Sequence, residues 1–464
     1  MCLALTLGLL IGAAADPAPG PGPIVHRAPK PLAPNAVTSD WPAFLGPTHD
    51  GVCTETRLLK QWPATGPPLV WELAKGTGYS SPSVAGHRVI LFHRLEDREI
   101  VVCLEAETGK LQWQFGYRSN YRDRYGYNNG PRATPVIDAD RVFTIGAEAR
   151  VHGLALASGQ IIWQRDLAAE YKLEQGFFGF TSTPLVYEDL LIINVGAPGG
   201  PCVVALNKMT GRTVWESGDR WGSSYASPVV AMLRAKPRLL VFAGGRSRPP
   251  TGGLLCIDPI DGRIDFRFPW RSTSFESVNA ACPVVAGDRV FISASYQIGG
   301  ALIGVDRQMQ PETLWMTDQL GTHFGTAIHR DGYLYGFDGR NPPDAALVCL
   351  DIETGRPMWR YRPQWQEQYE AYGRRQSGPF STYRGNLVWA DGHYLCLGEL
   401  GHLLWLDLTP KHQSILARTW LFAAPQTWCP PVISRGLLYV VQNDRDMRHG
   451  QKPRLLCYDL RAPA

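Results

Sequence analysis

The chain has 464 residues, a formal net charge of +4, and 48 Gly, 37 Pro and 15 Trp. The charge is mild and its Lys and Arg are scattered, which argues against nucleic acid as a partner. No stretch carries an amphipathic helical period, so an all-β chain punctuated by turns is expected.

Leu3 to Ile11 is an apolar run followed by Gly12-Ala13-Ala14-Ala15, the small residues a signal peptidase needs. It is too short to span a bilayer and reads as a secretory signal over 1–15, although a positively charged leading segment is missing. The mature chain is therefore expected to be exported to the periplasm or cell envelope, with no transmembrane span. Residues 16–39 are Pro-rich at their start and read as an extended, unpacked tether. Residues 40–464 read as one domain, because a uniform repeat runs through them without a linker.

The repeat is clearest at Val101 to Trp113, V-V-C-L-E-A-E-T-G-K-L-Q-W. An apolar, β-branched run is followed by a Thr-Gly turn and a second strand that ends in Trp. Gly153 to Trp163, Ala205 to Trp215 and Cys349 to Trp359 keep the frame, and Cys256 to Phe266 keeps it with Phe in the Trp place. Weaker copies run from Gly304 to Trp315 and from Leu404 to Trp420. A Ser/Thr-Pro step marks the first strand of most periods: Ser81-Pro82, Thr134-Pro135, Thr183-Pro184 and Ser227-Pro228, with Cys282-Pro283 and Pro430-Pro431 as variants. Ala327 and Leu387 occupy the Pro place in the sixth and seventh periods. Each period of about 50 residues holds four strands, the content of one propeller blade.

There are eight starts but only seven downstream closing strands, because the last copy, Leu455 to Leu460, runs out before any Trp. Leu69-Val70-Trp71 precedes the first start and has no inner strands of its own. The pattern predicts an eight-bladed β-propeller of four-stranded blades, closed by the N-terminal strand around Trp71 and expected to be a monomer. Such a ring leaves only short, protected sheet edges.

Cys103, Cys256, Cys349 and Cys457 share one position, in the third strand of their blades, where a small core side chain is the plain explanation. Disulfide pairing cannot be read from spacing. The chain has no Cys-x-x-Cys-His, no adjacent Cys pair, no His-Glu-x-x-His and no Gly-x-Ser-x-Gly. Its His residues lack metal-ligand spacing, so no metal site is assigned.

The connections from each closing strand to the next inner strand carry the functional signal. The connection from Trp113 to Thr134 is long and rich in aromatic and basic residues: Tyr121, Arg122, Arg124, Tyr125, Tyr127, Asn129 and Arg132. Its counterparts include Tyr79, Phe180, Tyr225, Glu276 with Asn279, His323, Arg374 and Trp428. Propeller geometry gathers all of them at one mouth of the axial channel. A small ligand or an envelope protein is the expected partner there. A saccharide hydrolase would require paired carboxylates at the mouth, and Glu276 with Asp123 makes no convincing pair.

The copies of Leu-Asp/Glu-x-x-Thr-Gly-Lys/Arg-x-x-Trp resemble the tryptophan-docking motif of the quinoprotein alcohol dehydrogenase superfamily. Asp40-Trp-Pro-Ala-Phe-Leu-Gly-Pro47, followed by Tyr79-Ser-Ser-Pro82, is similar to exported PQQ-binding-like β-propeller repeat proteins. The resemblance covers nearly everything from Asp40 onward. It implies either of two functions. The dehydrogenases hold pyrroloquinoline quinone (PQQ) and calcium in the channel, with an Asp base, a stacking Trp and often adjacent cysteines. The other branch resembles the outer-membrane β-barrel assembly lipoprotein, which binds partners and does no chemistry. Here the Cys pair is missing and no Asp matches the base, so a binding scaffold is the expected function. PQQ with calcium, for which Glu276 and Asn279 would be the pair, is the alternative.

Overall fold

A computed structural model describes residues 22–371 and 373–463, so the expected signal at 1–15 lies outside the described residues. Eight antiparallel sheets follow one another along the chain, with strands in sequence order from the inside out. Blades one to seven comprise residues 83–118, 136–166, 185–217, 229–269, 284–317, 328–361 and 385–420. Blade eight takes three strands from 432–459 and its fourth from Leu69–Ala74, which pairs antiparallel with Arg454–Asp459. The expected closure around Trp71 is present. Helix is limited among the described residues to one short turn, Leu167–Tyr171.

The repeated motif is explained by two sets of contacts. Within a blade, the acidic or amide residue before the Thr-Gly turn caps it. Glu105 Oε2 accepts from the Thr108 amide at 2.8 Å and from its hydroxyl at 2.7 Å, and Asn207 and Asp351 do the same for Thr210 and Thr354. Between blades, the closing Trp reaches across the seam. The indole N–H of Trp71 donates to Ala106 O at 2.9 Å, Trp113 to Leu156 O at 2.8 Å, and Trp163 to Lys208 O at 2.9 Å. Trp215 and Trp315 repeat the contact on Pro259 and Ile352.

Each of these indoles lies over the turn glycine of the next blade. A Cβ on Gly109 would sit 2.7 Å from the Trp71 ring, and one on Gly159 2.4 Å from Trp113, and both glycines have positive φ. The motif glycine therefore serves the preceding blade's Trp as well as its own turn. Blade five has Met309 at the equivalent turn position, also at positive φ, and the preceding blade correspondingly offers Phe266; the two share one apolar cluster.

The repeated cysteines are the residues directly across from the docking aromatics: Cys103 faces Trp113, Cys256 faces Phe266, Cys349 faces Trp359 and Cys457 faces Trp71. Size is the constraint, since at Gly153, the same position in blade two, a Cβ would lie 2.5 Å from Trp163. The nine cysteines among the described residues are free and buried.

Residues 40–55 form a collar around one end of the axial channel. Trp41 bridges Val84 of blade one, Pro42 O accepts from Ile137 N of blade two, and Ala43 packs with blades two and three. Leu45 packs with blades four and five, Gly51 touches Ile328 of blade six, and Val52–Cys53 adds a parallel strand to blade seven. Glu55 then accepts the amides of Ser39, Arg435 and Gly436, the last two from blade eight. One short segment thus ties the ring together, and its Phe44 reaches the floor of the opposite cavity.

The tether expected over 16–39 is corrected for its described part. Ile24–Val25 pairs with Leu69–Ala74, Lys30 N donates to Asp459, and Arg461 donates to Lys30 O, so 22–39 lies along blade eight. Between blades six and seven an extra ribbon, Gln364–Ala371 with Arg374–Ser381, stands on blade seven through Trp365 and Phe380, which meet His402.

Candidate ligand cavity at the channel mouth

The interblade connections converge on a cavity of about 390 Å³. Its wall is a chain of rings from six different connections. Phe324 and Tyr127 each lie 5.5 Å from Trp428, Tyr79 stacks on Trp428 at 5.1 Å, Tyr127 meets Phe178 at 5.6 Å, and Phe178 meets Tyr225 at 5.5 Å. Tyr125, Phe177 and Phe275 extend the belt outward, and Phe275 is 71% exposed.

The long connection after blade one is ordered by two buried groups. Arg94 donates to the carbonyls of Ser119, Tyr121 and Asn129. Asp123, fully buried, accepts the amides of Tyr125 and Tyr127 and a 2.8 Å ion pair from Arg132. Asn129 Oδ1 accepts from Asp123 N, which closes the loop on itself.

Three arginines line the cavity, and each faces its own carboxylate: Arg132 with Asp123, Arg340 with Glu276, and Arg384 with Glu399. Glu399 also accepts the Trp428 indole N–H at 3.1 Å, while Asn386 donates to the Trp428 backbone carbonyl at 2.9 Å, so both ends of this residue are held. His323 lies half-buried between Tyr296 and Arg384. Burial, then the charges of Arg384 and Arg340, hold its pKa down to about 3.

Of the residues expected at the mouth, Tyr79, Tyr125, Arg132, Tyr225, Glu276, His323 and Trp428 line the cavity. The others are corrected. Arg122 and Arg124 are exposed on the outside of their loop, and Asn129 is spent within it. Phe180 is 7% exposed and belongs to the core of blades two and three. Arg374 sits exposed on the extra ribbon, away from the axis, because that ribbon projects from blade seven. Asn279 is buried and spends its amide N–H groups on Ala243 O and Trp270 O.

Among the lining residues that sequence reasoning missed are Tyr296, Arg340 and Arg384. Tyr296 and Arg340 come from hairpins between second and third strands, which emerge on the same face as the interblade connections. Blade geometry alone was a sufficient signal for both. Arg384 lies in the connection that leads into Gly385–Ala390, so its place in the repeat was a signal as well.

The calcium pair expected at Glu276 and Asn279 is not assembled. Calcium takes about six to eight oxygen ligands, whereas Glu276 is 60% exposed and ion-paired to Arg340, and Asn279 is occupied by backbone. Among the described residues no group of three or more His, Cys, Asp or Glu side chains is placed to hold a metal ion. No helix among them is long and apolar enough to cross a membrane.

An eight-bladed propeller with tryptophan-docked seams and an aromatic channel mouth defines the class, that of the PQQ-like propellers. Solved structures agree on the fold. The quinohemoprotein alcohol dehydrogenase from Comamonas testosteroni is similar with a TM-score of 0.59 at 12% identity, covering 93% of this chain and 82% of that one. A europium-containing methanol dehydrogenase gives 0.60 at 11% identity, covering 91% and 98%. A computationally designed protein, Ika8, gives 0.52 at 12%, covering 85% and 100%. No curated protein matches the sequence. The family model described as outer membrane protein assembly factor BamB matches residues 52–172 and 97–361, more than half of the chain, and the chain belongs to that family.

Proposed function

We propose that this protein is an exported binding propeller of the cell envelope, which captures a small ligand or the side chains of an envelope partner at its channel mouth. The observation that carries this reading is the cavity itself: aromatic on its walls, floored by Phe44, with each lining arginine paired to a carboxylate. Rings presented in this way supply contact area at small conformational cost, and paired charges hold them in place. The family's description as an outer-membrane assembly factor supports an envelope setting and a binding role.

The test uses the full chain purified from cells, wild type and Trp428→Ala. Mass spectrometry of the co-purifying small molecules and proteins should show at least one species depleted by the substitution. Added PQQ and calcium should give neither the quinone absorption at one equivalent nor dye-linked oxidation of an alcohol. Stoichiometric quinone uptake with dye reduction would instead establish a quinoprotein dehydrogenase.

A further inference from the structure

We infer that Tyr296 is the recognition donor of the mouth cavity and that the ligand it selects is a neutral saccharide ring. The inference rests on the binding reading above and adds the ligand's chemistry.

A chain of four side chains fixes the Tyr296 hydroxyl. Glu399 accepts from Nε and Nη2 of Arg384, and Arg384 Nη1 donates to His323 Nδ1 at 3.1 Å. A guanidinium has no lone pair to offer, so Nδ1 must be the accepting nitrogen. The ring is neutral, which leaves its single proton on Nε2, 3.0 Å from Tyr296 Oη. Tyr296 therefore accepts from His323. Its own hydrogen is used by no hydrogen bond among the described residues, and burial, which pushes its pKa up to about 12, keeps that hydrogen in place. The side chain is nine-tenths buried and lines the cavity.

The backbone at this residue is strained as well. Tyr296 and Gln297 have φ of 70° and 64°, in the turn that joins Arg289–Ala294 to Gly299–Val305. Positive φ is unfavourable for such side chains, and strain of this kind gathers at functional sites, while the hairpin at Arg234-Ala235 carries the same pair of positive φ values.

A fixed donor selects an acceptor oxygen. Around it the cavity offers the faces of Phe324 and Trp428, and lower down the hydroxyls of Thr183 and Ser227. Each of those oxygens already accepts a backbone amide, from Thr134 and Thr183 respectively, at 3.0 Å. Thr181 Oγ1 is buried there without a partner. A ligand bearing carboxylates would need unpaired cations, whereas the lining arginines face their own carboxylates. An uncharged ring with C–H faces for the aromatic walls and hydroxyls at its edge matches every one of these features.

A glycan array carrying neutral and acidic oligosaccharides, probed with the full chain, tests this. Wild type should be retained on neutral glycans, and free PQQ should not compete. Tyr296→Phe keeps the ring and removes the donor together with the acceptor of the His323 Nε2 proton; it should bind about tenfold more weakly, the scale of one lost hydrogen bond, and stay folded at a lowered unfolding temperature. No retention on neutral glycans, preference for acidic ones, or full binding by Tyr296→Phe overturns the inference. If Tyr296→Phe unfolds, Thr181→Val replaces it: weakened binding with normal unfolding supports the saccharide, and retained binding overturns it. A blank array, with a co-purifying species still lost in Trp428→Ala, removes the ligand class alone. Quinone uptake with dye reduction removes the binding reading itself.

Discussion

The seams between blades and the mouth of the channel are built from the same residue types under opposite rules. At the seams an indole, a turn glycine and a small residue recur with fixed spacing, and each indole N–H meets a carbonyl of the next blade. At the mouth the ring contacts do not recur. Tyr127, Phe178, Tyr225, Phe324 and Trp428 come from five connections of different length and sequence, and Asp123, His323 and Glu399 each appear once. Repetition is what a ring needs in order to close. The departures from it mark the positions freed from that duty.

Breaking a seam should have the largest effect. Trp71 is fully buried, donates to Ala106 O and packs on Gly109 and Tyr439 where the chain's two ends meet. Trp71→Ala is expected to destabilise the propeller by about 3–5 kcal/mol, read by chemical denaturation. A loss under about 1 kcal/mol would mean that the closing strand is held by its ladder alone, not by docking.

The mouth loop should respond next, and unevenly. Arg132 and Arg124 belong to one basic loop in the sequence, but Arg132 is 6% exposed in its pair with Asp123 while Arg124 faces solvent. Arg132→Ala leaves a buried carboxylate without its cation and should cost about 3 kcal/mol, with faster hydrogen exchange over 119–130. Arg124→Ala should stay within about 0.5 kcal/mol of wild type. Equal melting temperatures for the two variants would show that the loop is held by Arg94 and its backbone bonds instead.

The smallest effect sharpens the seam rule. Phe266 and Met309 replace Trp and Gly together at one junction. Phe266→Trp alone should be neutral or destabilising, because Met309 fills the space. Combined with Met309→Gly it should recover about 1 kcal/mol relative to the sum of the single substitutions, measured as a double-mutant cycle. Strict additivity would separate the Trp from the Gly.

The sequence by itself determined the blade count, the strand order within a blade and the closure at Trp71, since each follows from local periodicity and from counting starts against ends. It also placed Tyr79, Tyr125, Arg132, Tyr225, Glu276, His323 and Trp428 on the right face, because position in the repeat dictates which end of a blade a residue occupies. Only the tertiary structure decided which of those side chains turn inward. Phe180 and Asn279 occupy equivalent connections but are consumed by packing and backbone hydrogen bonds, and Arg374 is carried away on an inserted ribbon. The collar at 40–55 and the line from Glu399 through Arg384 and His323 to Tyr296 join residues far apart in the chain. No local pattern encodes such pairings, because their partners are brought together only when the ring has closed.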